Sequence, residues 1–324
     1  MNQIQDLTGF PELRSRILEG MKAFLVPGLA LGIIQDGQWF AEGFGVTSIA
    51  NPLSVTTDTT FQIGSTSKTV TATVIMMLAE QGKLELDEKV KTYLPNLELS
   101  DSDVAARVTI RHLLNHTAGW AGDLFVNTGD GEDALELYVQ KMRDLPQLTP
   151  LGEVWHYNNA AFGLAGRVVE VVTGRTFESV AREYILEPLE MTHSSYFPSE
   201  AMLERFAVGH FVDEHDVLQI SKPWALARNT SSVGRINSSV IDQLKYAQFH
   251  LGDGTAANGK RLLSSESMIE MQTPTVAGAN GAKHAVSWFV HDLVGTILVR
   301  HGGATKGRCQ NFTLCQNASL PGQF

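Results

Sequence analysis

The sequence predicts an α+β fold: an antiparallel β-sheet built from both chain ends, flanked by helices, with a helical lobe inserted between them. Three observations lead there. Runs with strand character and turn residues lie near both termini, at about 29–45 and 285–315. Helical stretches dominate the chain between them. The 324 residues, 43% hydrophobic and 19% charged, have the composition of an ordinary globular chain, and neither a repeat nor a long linker divides it. One domain over 1–324 is expected, with its sheet part at about 1–64 and 265–324 and its helical lobe at about 65–264.

In chain order, residues 10–24 read as an amphipathic helix. Leu29–Ile34 and Trp39–Gly45 then read as the strands of a hairpin turned at Asp36-Gly37. A polar loop leads to Phe61-Gln62-Ile63-Gly64-Ser65-Thr66-Ser67-Lys68, where a turn at Gly64 opens a helix at or just after Ser65 that stops at Gly82. Apolar Val70, Val74, Met77 and Leu78 make that helix a mostly buried one. A short helix ending near Pro95 and another at Thr109–Asn115 follow, and the Gly- and Asp-rich stretch Asn127–Asp133 is expected to be an exposed, mobile loop. Further helices are predicted at 133–143, 159–173, 176–186, 239–251 and about 264–271, the last between loops near 252–260 and 276–283. Ala285–His291, Thr296–Arg300 and Asn311–Cys315 read as strands.

Charge narrows the classes of partner. Lys+Arg 25 against Asp+Glu 35 gives a net −10 with no basic run, which argues against nucleic acid and against anionic membrane surfaces. The first residues lack the basic and apolar regions of a signal peptide. The longest uncharged apolar stretch, Ala23–Ile34, contains Pro27, Gly28 and Gly32 and falls short of the ~20 residues a spanning helix needs. A cytoplasmic protein is expected. Its two cysteines, Cys309 and Cys315, are read as free thiols, and no CxxC or histidine cluster at metal spacing suggests a metal or a cofactor.

Three constellations carry chemistry. Ser65 and Lys68 form the one SxxK in the chain, on one face of the first helical turn and at the positive end of its dipole. A lysine whose pKa burial has lowered is able to take the proton of a serine hydroxyl, and the helix N-terminus offers Ser65's own N–H to an oxyanion. A surface Ser and Lys at that spacing is the alternative. Tyr157-Asn158-Asn159 stands at a loop-to-helix junction, where Tyr157 and Asn159 would present a phenol and an amide to a cleft; otherwise Asn159 caps the helix and Tyr157 packs at its foot. Arg300-His301-Gly302-Gly303-Ala304 follows a strand-like run, and its glycines let a substrate approach the backbone. His250-Leu251-Gly252 repeats the His-x-Gly pattern but sits at a helix end, where a C-terminal cap is the better reading.

In this order the three motifs resemble the serine β-lactamase and penicillin-binding-protein superfamily, most closely its branch of class C β-lactamases, DD-peptidases and esterases. The intervals agree, 157 − 65 = 92 and 301 − 157 = 144, and Leu113-Leu114-Asn115-His116-Thr117-Ala118-Gly119-Trp120 looks like a further segment of that branch. The resemblance runs from about residue 10 to about 318. A Gly-x-Ser-x-Gly elbow is absent, which speaks against an α/β-hydrolase. The resemblance implies a β-lactamase/transpeptidase-like fold and a catalytic domain without metal or cofactor. It makes Ser65 the acylated nucleophile, with Lys68 and Tyr157 sharing the proton transfer and the choice of base left open. Asn159 would orient Lys68 and the substrate amide, and His301 and Gly303 would line the substrate on an edge strand. The backbone N–H groups of Ser65 and Ala304 would form the oxyanion hole, and Trp120 and the 125–133 loop are candidate pocket walls.

Two departures shape the expected substrate. Where β-lactamases mostly carry Lys, this chain has His301, which without a shift is charged only below a pKa near ~6.5, so carboxylate-bearing substrates should bind worse as pH rises from about 5 to 8. That favours a small ester, amide or D-amino-acid peptide over a dedicated β-lactam. The family also continues past the third-motif strand, and about one strand and one helix are missing before Phe324, leaving a sheet edge for a partner or a homo-oligomer to cover. A catalytically silent binding or sensor protein on the same fold, or an impaired truncated homologue, is the second reading.

Overall fold

The computed structural model describes residues 4–222, 224 and 226–317. The chain opens with β1 (Ile4–Gln5) and helix α1 (Pro11–Ala23), which carries Pro11 in its first turn, where no N–H is needed. Strands β2 (Gly28–Gln35) and β3 (Gln38–Gly45) pair antiparallel from Gly28↔Gly45 to Gln35↔Gln38, and β1 lies parallel to β3. Their turn is the one the sequence marked: Asp36 and Gly37 have φ of 52° and 75°, the left-handed pair that matches hairpin twist. Then come β4 (Thr60–Gln62) and α2 (Ser67–Glu80). Short helices α3 (Val90–Tyr93), α4 (Ser102–Arg107) and α5 (Ile110–Leu114) precede α6 (Ala134–Lys141), α7 (Asn159–Thr173), α8 (Phe177–Ala181) and α9 (Pro198–Ala201). The stretch expected as one helix over 176–186 instead widens after α8 into a π-helical turn, Arg182–Leu186.

Two ribbons follow: β5 (His210–Val212) with β6 (Leu218–Ile220), and β7 (Asn237–Ser239) with β4. Helices α10 (Val240–Leu251) and α11 (Ser265–Gln272) lead to β8 (Val276–Ala277), β9 (Lys283–His284), β10 (Phe289–Leu293), β11 (Thr296–Thr305) and β12 (Arg308–Asn317). Those five form an antiparallel sheet in the order β12-β11-β10-β9-β8.

The C-terminal strands differ in extent from the sequence reading. Ala285–Trp288 is a buried turn rather than strand, closed by Ala285 N–H donating to the Trp288 carbonyl (2.8 Å) with Ser287 at φ 69°. Strand β11 does not stop at Arg300; it runs on through His301-Gly302-Gly303 to Thr305 and pairs over its whole length with β12. The His-Gly-Gly segment is therefore part of the strand. It is not flanked by β10, whose pairing ends at Phe289↔Arg300, so on that side it has a free edge.

Among the described residues, the β1-β3-β2 sheet and the β12-to-β8 sheet are separate. Both rest on α10: a Cβ added to Gly32 of β2 would sit 2.8 Å from Val240, while Gln310 of β12 donates to Gln243 (3.0 Å) and Phe312 packs on Tyr246 with ring centroids 5.7 Å apart. The main buried cluster spans Ile63 to Leu314, and a smaller one of Trp39, Ala41, Ile241 and Leu244 lies under the hairpin. Helix α2 is the axis of the main core, buried continuously from Ser67 to Leu78. A helix enclosed on all sides needs no polar face, and its hydroxyls turn to neighbouring backbone instead: Thr71 donates to the Ser232 carbonyl (2.7 Å).

Candidate active site

Gly64, Ser65 and Thr66 form a 3-10 turn in front of α2, so the regular helix begins at Ser67, two residues after the serine. Gly64 has φ 54°, and β11 lies directly on this turn. A Cβ on Gly64 would come within 2.7 Å of Ala304 N, and one on Gly303 within 1.8 Å of the Ile63 carbonyl and 3.1 Å of Ser65 N. Glycine at both positions is what brings the backbone of Ala304 against that of Ser65. Gly302 differs, since an added Cβ there would meet only the Gln310 carbonyl at 3.7 Å. Gly303→Ala is accordingly expected to lower stability by about 1–3 kcal/mol through overpacking and to disrupt the Ser65 turn. Gly302→Ala should leave both nearly unchanged; thermal unfolding and active-site labelling of the pair check this.

Lys68 is fully buried, and its Nζ donates to Ser65 Oγ (3.1 Å) and to the Val233 carbonyl (3.0 Å). The amine is out of water, and among the described residues no carboxylate is in contact with it. Burial pushes its pKa well below the usual lysine value, with the charge of Asp123 pulling weakly the other way. That lowering makes the amine beside the serine hydroxyl a readier proton acceptor than an exposed lysine. The rings of Tyr157 and Phe162 lie 5.0 and 5.6 Å from Nζ.

Tyr157 reaches the same point from the foot of α7. Burial raises its phenol pKa, and the neighbouring Ser65 hydroxyl partly offsets that rise. The helix cap is Asn158: its side chain accepts from Ala161 N–H (2.8 Å) and donates to the Trp120 carbonyl (2.8 Å). That frees Asn159 from capping, but its amide donates to Asp123 Oδ1 (2.6 Å), and the partner that steers Lys68 is the Val233 carbonyl. The lysine-orienting role expected of Asn159 is thus taken by backbone, because the 231–236 segment packs along α2 and delivers a carbonyl to the buried amine.

His301 points inward from β11, 1% exposed, with its ring 6.4 Å from that of Tyr157 and 5.5 Å from that of Phe289. Its Nδ1 contacts the Gly302 carbonyl (2.7 Å), while Nε2 is buried without a partner among the described residues. Burial, and then the nearby Lys68, lower its pKa from 6.5 to about 3. An imidazole held that low stays neutral between pH 5 and 8, so the charge change of an unshifted histidine is not expected on His301. Sequence spacing placed the residue but not its desolvation.

The geometry also adds residues that the sequence reading left without a role. His116 stacks on Tyr157 (4.5 Å, 34° between rings), accepts from Asn158 N–H on Nδ1 (3.0 Å) and is neutral through burial. It holds the tyrosine loop in place. Its segment was noticed only as a resemblance, and nothing in the spacing from His116 to Tyr157 signals the stack. Asp123 and the Val233 carbonyl carry no sequence signal at all. Trp120, by contrast, is 1% exposed and belongs to the core rather than to a pocket wall. The 125–133 loop is tied down by Arg228 donating to the Asp130 carbonyl (2.7 Å) and by Thr128 N–H donating to Asn229 (3.4 Å).

Against known proteins, a family model described as Beta-lactamase matches residues 13–315. Penicillin-binding protein 4 of Amycolatopsis lactamdurans is 35% identical over 87% of this chain and 76% of its own length. The unguisins hydrolase of Aspergillus violaceofuscus is 29% identical over 72% of this chain, which spans only 44% of that protein. Among solved structures, the octameric penicillin-binding protein homologue from Pyrococcus abyssi superposes with a TM-score of 0.80 at 27% identity, covering 95% of this chain and 73% of that one.

Proposed function

This chain belongs to the beta-lactamase family, whose members are generally serine hydrolases, and from that premise we propose that it hydrolyses a small ester, amide or D-amino-acid peptide through an acyl-enzyme on Ser65. The observation that carries the reading is the 3.1 Å contact between Ser65 Oγ and the buried, proton-poor amine of Lys68. Lys68 takes the hydroxyl proton as Oγ attacks the carbonyl carbon. The oxyanion forms against Ser65 N–H and Ala304 N–H, which Gly64 and Gly303 allow to converge. Tyr157, kept protonated by burial, passes a proton to the leaving oxygen or nitrogen and is refilled from Lys68. Water then attacks the acyl-enzyme, the same groups relay its proton, and Ser65 is released with the acid product.

Charge at the site favours esters and neutral peptides over carboxylate-bearing β-lactams. His301 supplies no fixed cation, and the exposed carboxylate of Asp123 stands beside Asn159. Binding of a carboxylate-bearing substrate is therefore expected to show no dependence on His301 between pH 5 and 8, because a group with a pKa of about 3 stays neutral throughout. Matching pH profiles of the natural chain and His301→Gln would check this, and a wild-type step near pH 6.5 lost in the variant would refute it.

The direct test is intact-mass analysis after a fluorophosphonate and, separately, a penicillin, beside Ser65→Ala. One Ser65-dependent fluorophosphonate adduct, with the penicillin adduct slow or absent, is the expected result. A folded chain that takes no adduct would be a binding protein.

A further inference from the structure

One carboxylate overlooks the reacting groups. Gly122 packs against the chain at Tyr157, where an added Cβ would come within 2.4 Å of the Tyr157 carbonyl, and its own carbonyl accepts from Ala160 N–H (2.9 Å). That stitching holds the next residue, Asp123, at the start of α7. Asp123 is exposed, while Ser65, Tyr157 and Asn159 are each half-buried, so all four are open to solvent in some part. No lysine or arginine pairs with Asp123 among the described residues, and its charge reaches both Lys68 and Tyr157.

The bond between Asp123 and Asn159 (2.6 Å) fixes how the amide is turned. A carboxylate only accepts, so the NH2 of Asn159 faces Asp123 and its Oδ1 is left as an acceptor, one that takes no hydrogen bond among the described residues. His301 follows the same logic. Its Nδ1 lies 2.7 Å from the Gly302 carbonyl and so carries the hydrogen, which leaves Nε2 a lone-pair acceptor. With its pKa at about 3, that imidazole brings no positive charge either. Beside Ser65 the site therefore offers acceptors and one negative charge.

We propose that Asp123 is the specificity-determining residue of this site and selects substrates that carry a protonated amine a few bonds from the scissile carbonyl. The ammonium supplies N–H donors to Asn159 Oδ1 and to the Asp123 carboxylate, and its charge offsets the carboxylate's. A D-amino-acid peptide with a free amine, or an aminoacyl ester or amide, fits this description. A carboxylate placed there does not. The proposal rests on the Ser65 hydrolase reading and narrows it to one class of substrate.

Steady-state kinetics on the full chain tests it with two matched pairs. The D-alanyl and D-lactyl p-nitroanilides place an ammonium or a hydroxyl on the acyl half, and the aminoethyl and hydroxyethyl amides of acetic acid do so on the leaving half. Asp123→Asn keeps an acceptor for the Asn159 amide and removes only the charge. Comparing each pair's kcat/KM ratio between the natural chain and the variant cancels the intrinsic reactivity of the substrates. For a compound that is not turned over, its slowing of fluorophosphonate labelling at Ser65 supplies the same ratio.

In one of the pairs, which locates the amine, the preference for the ammonium is expected to be about fivefold higher in the natural chain, to lie in KM, and to shrink at about 1 M salt. Equal ratios in chain and variant for both pairs would overturn the proposal. So would an equal fall of kcat on both members of a pair, which would make Asp123 a tuner of Lys68 and Tyr157 rather than a reader of the amine. An adduct on Ser65 with equal ratios ends this proposal alone. A folded chain without an adduct ends the hydrolase reading and the proposal with it.

Discussion

Lys68→Ala is expected to slow acylation of Ser65 by about 10²–10⁴-fold, the usual contribution of a positioned general base, while the chain still folds. The argument rests on what Nζ touches. Its two partners are a hydroxyl and a carbonyl, and no carboxylate pairs with it among the described residues. Removing the amine leaves no buried charge unpaired. Lys68→Met keeps most of the volume and separates lost chemistry from a lost side chain. It carries its own signature in stability. An unfolded chain binds a proton at Lys68 up to about pH 10.5, whereas the folded chain, with its pKa pushed well down, does not. In the natural chain this residue therefore costs stability at neutral pH, and the cost shrinks as pH rises toward 10.5. Relative to the natural chain, Lys68→Met should be most stabilised near neutrality and less so near pH 10. Fluorophosphonate labelling rates and Tm across that range measure both effects. An unfolded Lys68→Met would make the lysine structural.

Acid should destabilise this protein through its buried histidines. His250, His284 and His301 are each buried and held at a pKa of about 3. Each stays neutral in the folded chain but takes a proton at 6.5 when unfolded, so stability is complete above that pH and drains as pH falls toward 3. At pH 5 the cost is about 2 kcal/mol per histidine, about 6 kcal/mol for three, against a total stability of about 5–15 kcal/mol. An unfolding midpoint near pH 5 is expected by circular dichroism. His250 is the variant to use, because it lies away from the site in a cage of Tyr246, Phe249 and Trp288, with ring centroids 4.5, 5.0 and 5.1 Å away. The sequence reading took it for a helix cap, but α10 is capped at Gly252 and the imidazole packs inward. His250→Leu should move the midpoint to lower pH. An unchanged midpoint would assign the acid transition to other groups.

Local signals in the sequence were sufficient for the α+β class, the hairpin turned at Asp36-Gly37, the helix behind Ser65 and the three chemical motifs. Each rests on residues close together in the chain, where turn preference, apolar spacing and the conjunction of motifs are readable. What the sequence did not determine depends on packing between distant segments. The partner of the Lys68 amine is a carbonyl 165 residues away. His116 finds Tyr157 only because two loops meet, and Gly303 is indispensable only because β11 crosses the turn at Ile63–Ser65. The same holds for protonation. Spacing identifies His301 as a site residue, but its neutrality follows from burial, which exists only once β11 lies on the core.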